Sequence, residues 1–413
     1  MALLALCAAK TAHAQDQDIF RRDRNIAVTD RPQPEYDPLG LQVGSFLVFP
    51  KLTSTITDDD NIFATANGNS AAGIVDEQLQ VTAQSNWSRN LVLLKAKIDR
   101  QQYLSFSEES TTSYELQGFG RLDLDHASKV SGNLDYQQDV EPRSDETAPT
   151  SARTPVQYSV IAGDLNGYRD FSRFRATLDG SFDHYDYTNS TTFTGATLEE
   201  NQRNVLELKL RGQADYALSP NTSVYVALTG NDRDYDIKPP VAPYDPGSSG
   251  YELLGGASFD LTRLVRGKIE VGYLDQHFVD RVTPDMSGPT VHGNLQYFPT
   301  ELTTVSLKLS RDVDNSGLIL TPAYLANSAT LKVDHELLRN VILTASGSME
   351  YDTFGSLDRL DRRIGATAGV VYKMNRSVNF DLTYTLLKLI TTGAARGTDF
   401  NIDTLAFAIV LQR

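Results

Sequence analysis

Residues 204–231 constrain this chain more tightly than any other stretch. Leu206, Leu208, Leu210, Gly212, Ala214 and Tyr216 alternate with Glu207, Lys209, Arg211, Gln213 and Asp215. After Ser219-Pro220-Asn221, Val224, Val226 and Leu228 alternate with Tyr225, Ala227, Thr229 and Asn231. A period of two places alternate side chains on opposite faces of a strand. The Ser-Pro-Asn step between the arms supplies a tight turn. The unit is a long hairpin with one apolar face and one mainly charged face.

The same unit recurs along the chain. Phe46, Val48, Leu52 and Ile56 open a first strand of weak register, and Leu79, Val81 and Ala83 follow in a second. After a short turn at Trp87-Ser88-Arg89-Asn90, Val92, Leu94, Ala96 and Ile98 oppose Lys95, Lys97, Asp99 and Gln101. Leu116 and Leu122 oppose Glu115, Arg121 and Asp123, and Ala127-Ser128 turns the chain back. A strand over 156–168 has the weakest alternation and is placed by its neighbours. Further arms fall at about 251–262, 266–279, 288–298, 302–313, 325–336, 341–353, 361–373 and 378–390, with a final strand at 403–411. Their turns fall at Thr262-Arg263-Leu264, Pro299-Thr300, Leu338-Arg339-Asn340 and Asn375-Arg376.

Eighteen arms result, joined by nine long polar connections and eight short turns. That asymmetry belongs to an all-β fold, a transmembrane antiparallel β-barrel of about 18 strands with short periplasmic turns and long external loops. A soluble solenoid would keep a nearly constant period. A soluble sandwich gives no reason for long and short connections to alternate. The hydrophobic content of 40% and negative mean hydropathy fit a barrel, in which only alternate strand residues are apolar. No run of eighteen apolar residues offers a transmembrane helix.

The barrel is assigned to residues 44–413. Residues 1–14 are expected to be a signal peptide, with an apolar run over 3–9 and a small-residue cleavage pattern at Ala12-His13-Ala14. No Lys or Arg precedes the apolar run, as in a truncated start. Residues 15–43, polar and proline-bearing, are expected to form a periplasmic extension. Cys7, the only cysteine, lies in the leader, so thiol chemistry is not available to the mature chain. Losing Lys10 with the leader takes the net charge from −15 to −16, which argues against a nucleic-acid partner.

In such a barrel the apolar face meets lipid and the charged face lines the lumen. Tyr114, Tyr136, Tyr216, Tyr273, Tyr297, Tyr351, Tyr372 and Trp87 mostly fall near strand ends, where aromatic girdles sit. The lumen-lining candidates are Lys95, Lys97, Asp99, Glu115, Arg121, Asp123, Glu207, Lys209, Arg211, Asp215, Tyr225, Arg233, Lys268 and Glu270. Two readings stand side by side for them. Opposite charges facing across the lumen would make a selective constriction. Charges paired between neighbouring strands would make a solvated wall. Inward Tyr103, Tyr185 and Tyr225 are suited to stack on sugar rings.

Two other motifs are read as structural. Asp58-Asp59-Asp60-Asn61 lacks the glycine and distal glutamate of a helix–loop–helix calcium site, so it is taken as a solvated loop. Asp183-His184-Tyr185-Asp186 shows no evident Ser–His pairing, and His184 falls on the lipid-facing parity. No catalytic residue, metal or cofactor is expected.

Residues 30–40, running into Gly44-Ser45-Phe46-Leu47-Val48-Phe49-Pro50, followed by Asp60-Asn61-Ile62-Phe63 and Ser85-Asn86-Trp87, resemble the start of the β-barrel porin 2 family. The resemblance is sharpest over about residues 28–105. It implies a Gram-negative outer-membrane barrel, often encoded with exopolysaccharide synthesis and export genes, and a conduit for a secreted polymer. The implied partners are outer-membrane lipid, a polysaccharide substrate and a periplasmic polysaccharide-export protein. The family supplies no functional residues to carry across. The chain departs from the usual aromatic barrel terminus, ending Leu411-Gln412-Arg413. The alternatives are a small-solute uptake porin and a non-transporting adhesin or enzyme. Cell fractionation tests the class: the protein is expected in the outer membrane with heat-modifiable gel mobility, and recovery as a soluble periplasmic protein would refute the barrel.

Overall fold

The computed structural model describes residues 26–413 except 69, 146–147, 240, 263 and 319–320. The expected leader and residues 15–25 of the extension lie outside the described residues. Eighteen strands make the wall. They are Phe46–Asp59, Ala72–Ser85, Leu91–Tyr103, Thr111–Asp123, Ser128–Val140, Gln157–Phe171, Phe174–Tyr187, Val205–Ser219 and Thr222–Tyr235, then Ser248–Leu261, Val265–Phe278, Met286–Thr300, Thr303–Leu318, Thr321–Leu338, Val341–Phe354, Leu360–Lys373, Val378–Thr392 and Phe400–Gln412. Each pairs antiparallel with its sequence neighbours, and the last pairs with the first, Val410 opposite Thr53. The sheet is therefore closed into a barrel, as backbone N–H and C=O groups in lipid require, with one gap in its ladder above Gly293 and Leu309 among the described residues.

The alternation of the sequence becomes the two faces of this wall. In strand Val205–Ser219, Leu210 is 58% exposed outward, whereas Asp215 is 3% exposed on the inner side. Large apolar residues such as Leu165, Leu178, Val226 and Val271 cover the outside. So much exposed apolar surface has one compatible solvent, the hydrocarbon of a bilayer. Outward aromatics gather toward both ends of the wall. Trp87, Phe171, Phe174, Tyr216, Tyr297 and Tyr372 belong to the short-turn end, and Tyr114, Tyr136, Tyr251, Tyr273 and Tyr351 to the other. These are the two interfacial belts.

The short turns fall close to their expected places, with one shift. Pro299 and Thr300 end their strand, and the chain turns at Glu301-Leu302. The larger correction is at the opposite end, where one of the nine long connections is absent. Residues 314–318 and 321–324, read as part of a long connection, continue strands Thr303–Leu318 and Thr321–Leu338, with Leu318 opposite Thr321. Polar residues can continue these strands because this part of the hairpin folds into the polar interior.

The described part of the N-terminal extension also enters the barrel. Val28 is buried, and its N–H donates to Thr304 Oγ1 (3.0 Å). Arg31 forms an ion pair with Glu336 (2.7 Å), and its guanidinium also donates to the Glu301 carbonyl. Thr304 and Glu336 face inward at the short-turn end, so residues 26–40 lie inside that mouth. The short strand Leu41–Val43 then pairs with Phe46–Val48 and feeds the chain into the wall.

The two faces predict opposite responses to added charge. Leu210→Arg on the lipid face is expected to cost about 2–4 kcal/mol of folding stability. Ser113→Lys, facing Asp99 and Asp139 inside, is expected to change stability by less than about 1 kcal/mol. Urea titration of detergent-folded protein measures both.

Candidate functional site: the inner wall

The structure places the candidate residues on the inner face and gathers them into two patches. In the first, Glu115 sits between Lys95 (2.5 Å) and Lys97 (3.1 Å). All three are on strands Leu91–Tyr103 and Thr111–Asp123, where Lys97 and Glu115 are register partners. Gln78 donates to Asp99 Oδ2 (3.0 Å), and Asp123 takes Arg121 (3.3 Å) and Lys129 (3.8 Å).

The second patch covers strands Val205–Ser219 to Val265–Phe278. Glu207 meets Lys209 (3.2 Å) and Arg233 (3.7 Å). Glu270 meets Arg211 (2.5 Å) and Lys268 (3.4 Å). Gln213 bridges the two ends of its strand segment, accepting from Arg211 (3.0 Å) and donating to Asp215 (3.0 Å). The Tyr225 ring lies flat over Gly256, where an added Cβ would stand 2.3 Å from the ring, and the Lys268 ammonium sits 5.1 Å from its centroid. A glycine is needed there so that the ring can lie against the wall.

The geometry favours pairing along the wall over opposition across it. The ion pairs Lys95–Glu115, Lys97–Glu115 and Arg121–Asp123 stay within the first patch, and Lys209–Glu207, Arg233–Glu207, Arg211–Glu270 and Lys268–Glu270 within the second. Most of these charges have a counter-charge on their own or a nearby strand, while Asp99 and Asp215 accept from Gln78 and Gln213, so the wall is hydrophilic. Gln78, Gln213, Glu252 and His292 also belong to it, with His292 Nε2 2.8 Å from Glu252. Alternation puts them on the inner face, but a search for charged residues alone passes over the glutamines.

The external mouth is crossed by the described residues of the loop that follows Val140, 141–145 and 148–156. Arg203 takes Glu141 through two bonds (2.6 and 3.0 Å), holds Glu200 (2.9 Å) and stacks over the Tyr187 ring (4.1 Å). Burial pushes the Glu141 carboxyl up against the pull of Arg203. Farther along, Arg143 bonds Glu109 (2.8 Å), and Arg363 donates to the Ser144 carbonyl (3.4 Å). Arg363 is on strand Leu360–Lys373, seven strands round the wall from Ser128–Val140, so the loop reaches over the lumen.

The acidic run at 58–61 fastens a loop. Asp59 accepts from the Asn61 N–H (2.8 Å), and buried Asn61 donates to the Thr65 and Asn401 carbonyls (2.9 Å each). Among the described residues no cluster of His, Cys, Asp or Glu could hold a metal ion. His184 projects outward with Asp236 3.8 Å away.

A closed, lipid-coated barrel with a hydrophilic, ion-paired interior is an outer-membrane channel of porin type. The chain belongs to the family described as Putative beta-barrel porin 2, whose family model matches residues 33–413. Among solved structures it is similar to OccK2 (OpdF) of Pseudomonas aeruginosa, at 9% identity and TM-score 0.47, covering 90% of this chain and 98% of that one. It is also similar to OpdL of Pseudomonas aeruginosa, at 11% identity and TM-score 0.45, covering 90% and 99%. OccAB3 of Acinetobacter baumannii shares 9% identity at TM-score 0.45, covering 90% and 100%. No curated protein sequence matches the chain.

Arg203→Ala removes the partner of two buried carboxylates. It is expected to cost about 3–5 kcal/mol of local stability. Hydrogen exchange should then show loss of protection in residues 141–156 while the strands stay protected.

Proposed function

We propose that this protein is a passive conduit through which an exopolysaccharide crosses the outer membrane. The observation that carries the proposal is the ion-paired inner wall. A sliding polymer needs a surface that replaces its water without holding it. Carboxylate–ammonium pairs such as Glu115 with Lys95 and Lys97 offer hydrogen-bonding groups, and their charges largely cancel. The choice of a polymer over other solutes comes from the family resemblance. A periplasmic export protein is the proposed partner, meeting the short-turn end where residues 26–40 enter the barrel.

A second reading, a small-solute uptake porin, is favoured by the loop over residues 141–156. Its anchor at Arg363 lays backbone across the external mouth, an arrangement that admits small solutes more readily than a chain.

Gene deletion separates the two. Loss of surface polysaccharide with unchanged uptake of small sugars and amino acids supports export. Retained polysaccharide with reduced uptake supports the porin reading.

A further inference from the structure

Among the described residues the wall has one seam. Strands Met286–Thr300 and Thr303–Leu318 pair from Thr300–Thr303 up to Gly293–Leu309, and there the ladder stops. Above that point Met286–Thr300 still pairs with the preceding strand as far as Met286, opposite Gln276. Residues 310–315 still pair with Thr321–Leu338. The other neighbouring strands hold their pairing to within a few residues of the external ends. The seam begins below the external aromatic belt, since Tyr273 of that belt is opposite Pro289.

The hairpin above the seam has parted from Met286–Thr300 and leans into the lumen, while its second arm stays paired to Val341–Phe354 from Tyr324 onward. The Asn315 amide donates to Glu207, and Arg233 Nη2 donates to the Val313 carbonyl (2.6 Å). Glu207 and Arg233 are inner-face residues five and four strands away. Arg311, Val313 and Asn315 continue the outward parity of Val305, Leu307 and Leu309. Asn315 can reach Glu207 only if this outward face now lies on the inner wall. The vacated edge is weak, because Pro289 has no N–H to give and Gly288 has no side chain to pack.

We propose that the hairpin formed by residues 310–318 and 321–326 is a gate with two seats. In the seat seen here Arg233 and Glu207 latch it across the lumen. In the other it re-pairs with residues 286–292 by continuing the existing register, which puts Ser310 opposite His292 and Asn315 opposite Ser287. Re-pairing closes the seam and clears the lumen in one movement. The exchange trades the bonds to Glu207 and Arg233 for ladder bonds to a strand edge, and it turns Arg311 outward beside the external aromatic belt. The gate rests on the reading of the protein as a channel and adds to it a regulated opening.

Asn315 changes partner between the seats, so paired cysteines can trap each one. The variants are Glu207→Cys with Asn315→Cys, and Ser287→Cys with Asn315→Cys, each with Cys7→Ser. Heat-modifiable mobility shows that each is folded. Under a mild oxidant in intact outer membranes, both pairs are expected to crosslink, the first in higher yield. In planar bilayers the first crosslinked channel should conduct severalfold less than its reduced form. The second should conduct severalfold more than its own reduced form. Failure of the Ser287–Asn315 pair to crosslink, or conductance in both variants indifferent to reduction, overturns the gate. Crosslinking of both pairs with no conductance in any form keeps the moving hairpin and overturns the channel reading instead.

Discussion

Backbone hydrogen bonding in hydrocarbon is the constraint on which this structure depends. Water cannot satisfy an N–H or C=O inside a bilayer, so a sheet placed there must close on itself. The bond between first and last strands, Thr53 opposite Val410, is the local expression of that requirement. Closure has a second consequence. Each strand now has a lipid side and an enclosed side, and its side chains must satisfy both solvents at once. The alternation of leucine with charge in Val205–Ser219 is what that dual demand looks like in a sequence.

Inside, the charges are managed by proximity. Glu115 between two lysines, and Glu270 between Arg211 and Lys268, form short chains of alternating sign along the wall. Such pairs add little stability in a wet lumen. On the conduit reading their effect is on passage, since paired charges present hydrogen-bonding groups without a strong trap for a passing solute. The passage is shaped by segments that leave the wall: residues 26–40 at one mouth, the loop over 141–156 at the other, and the hairpin whose Asn315 reaches Glu207.

The wall was legible in the sequence because its rule is local. Whether Leu208 faces lipid and Lys209 the lumen follows from residues two positions away, and the long and short connections give the two ends. The inward segments were not legible, because no local rule makes them. Asp314 to Gly317 have the composition of an external loop, yet they extend a strand that pairs with its neighbour and reaches Glu207 inside. Arg31 likewise reads as one charge in a polar tail until the fold brings Glu336 to it. The fourteen candidate residues were found by parity, but their grouping into two patches depends on which strands the closed sheet makes neighbours.

The most direct test of the two-faced wall is a cysteine scan through residues 206–213 in intact outer membranes. Each single variant is treated with a small, charged, water-soluble thiol reagent. The account predicts labelling with a period of two, at positions 207, 209, 211 and 213, and protection at 206, 208, 210 and 212. Uniform labelling, or labelling of the opposite set, would contradict a lipid-facing apolar side and a water-filled interior.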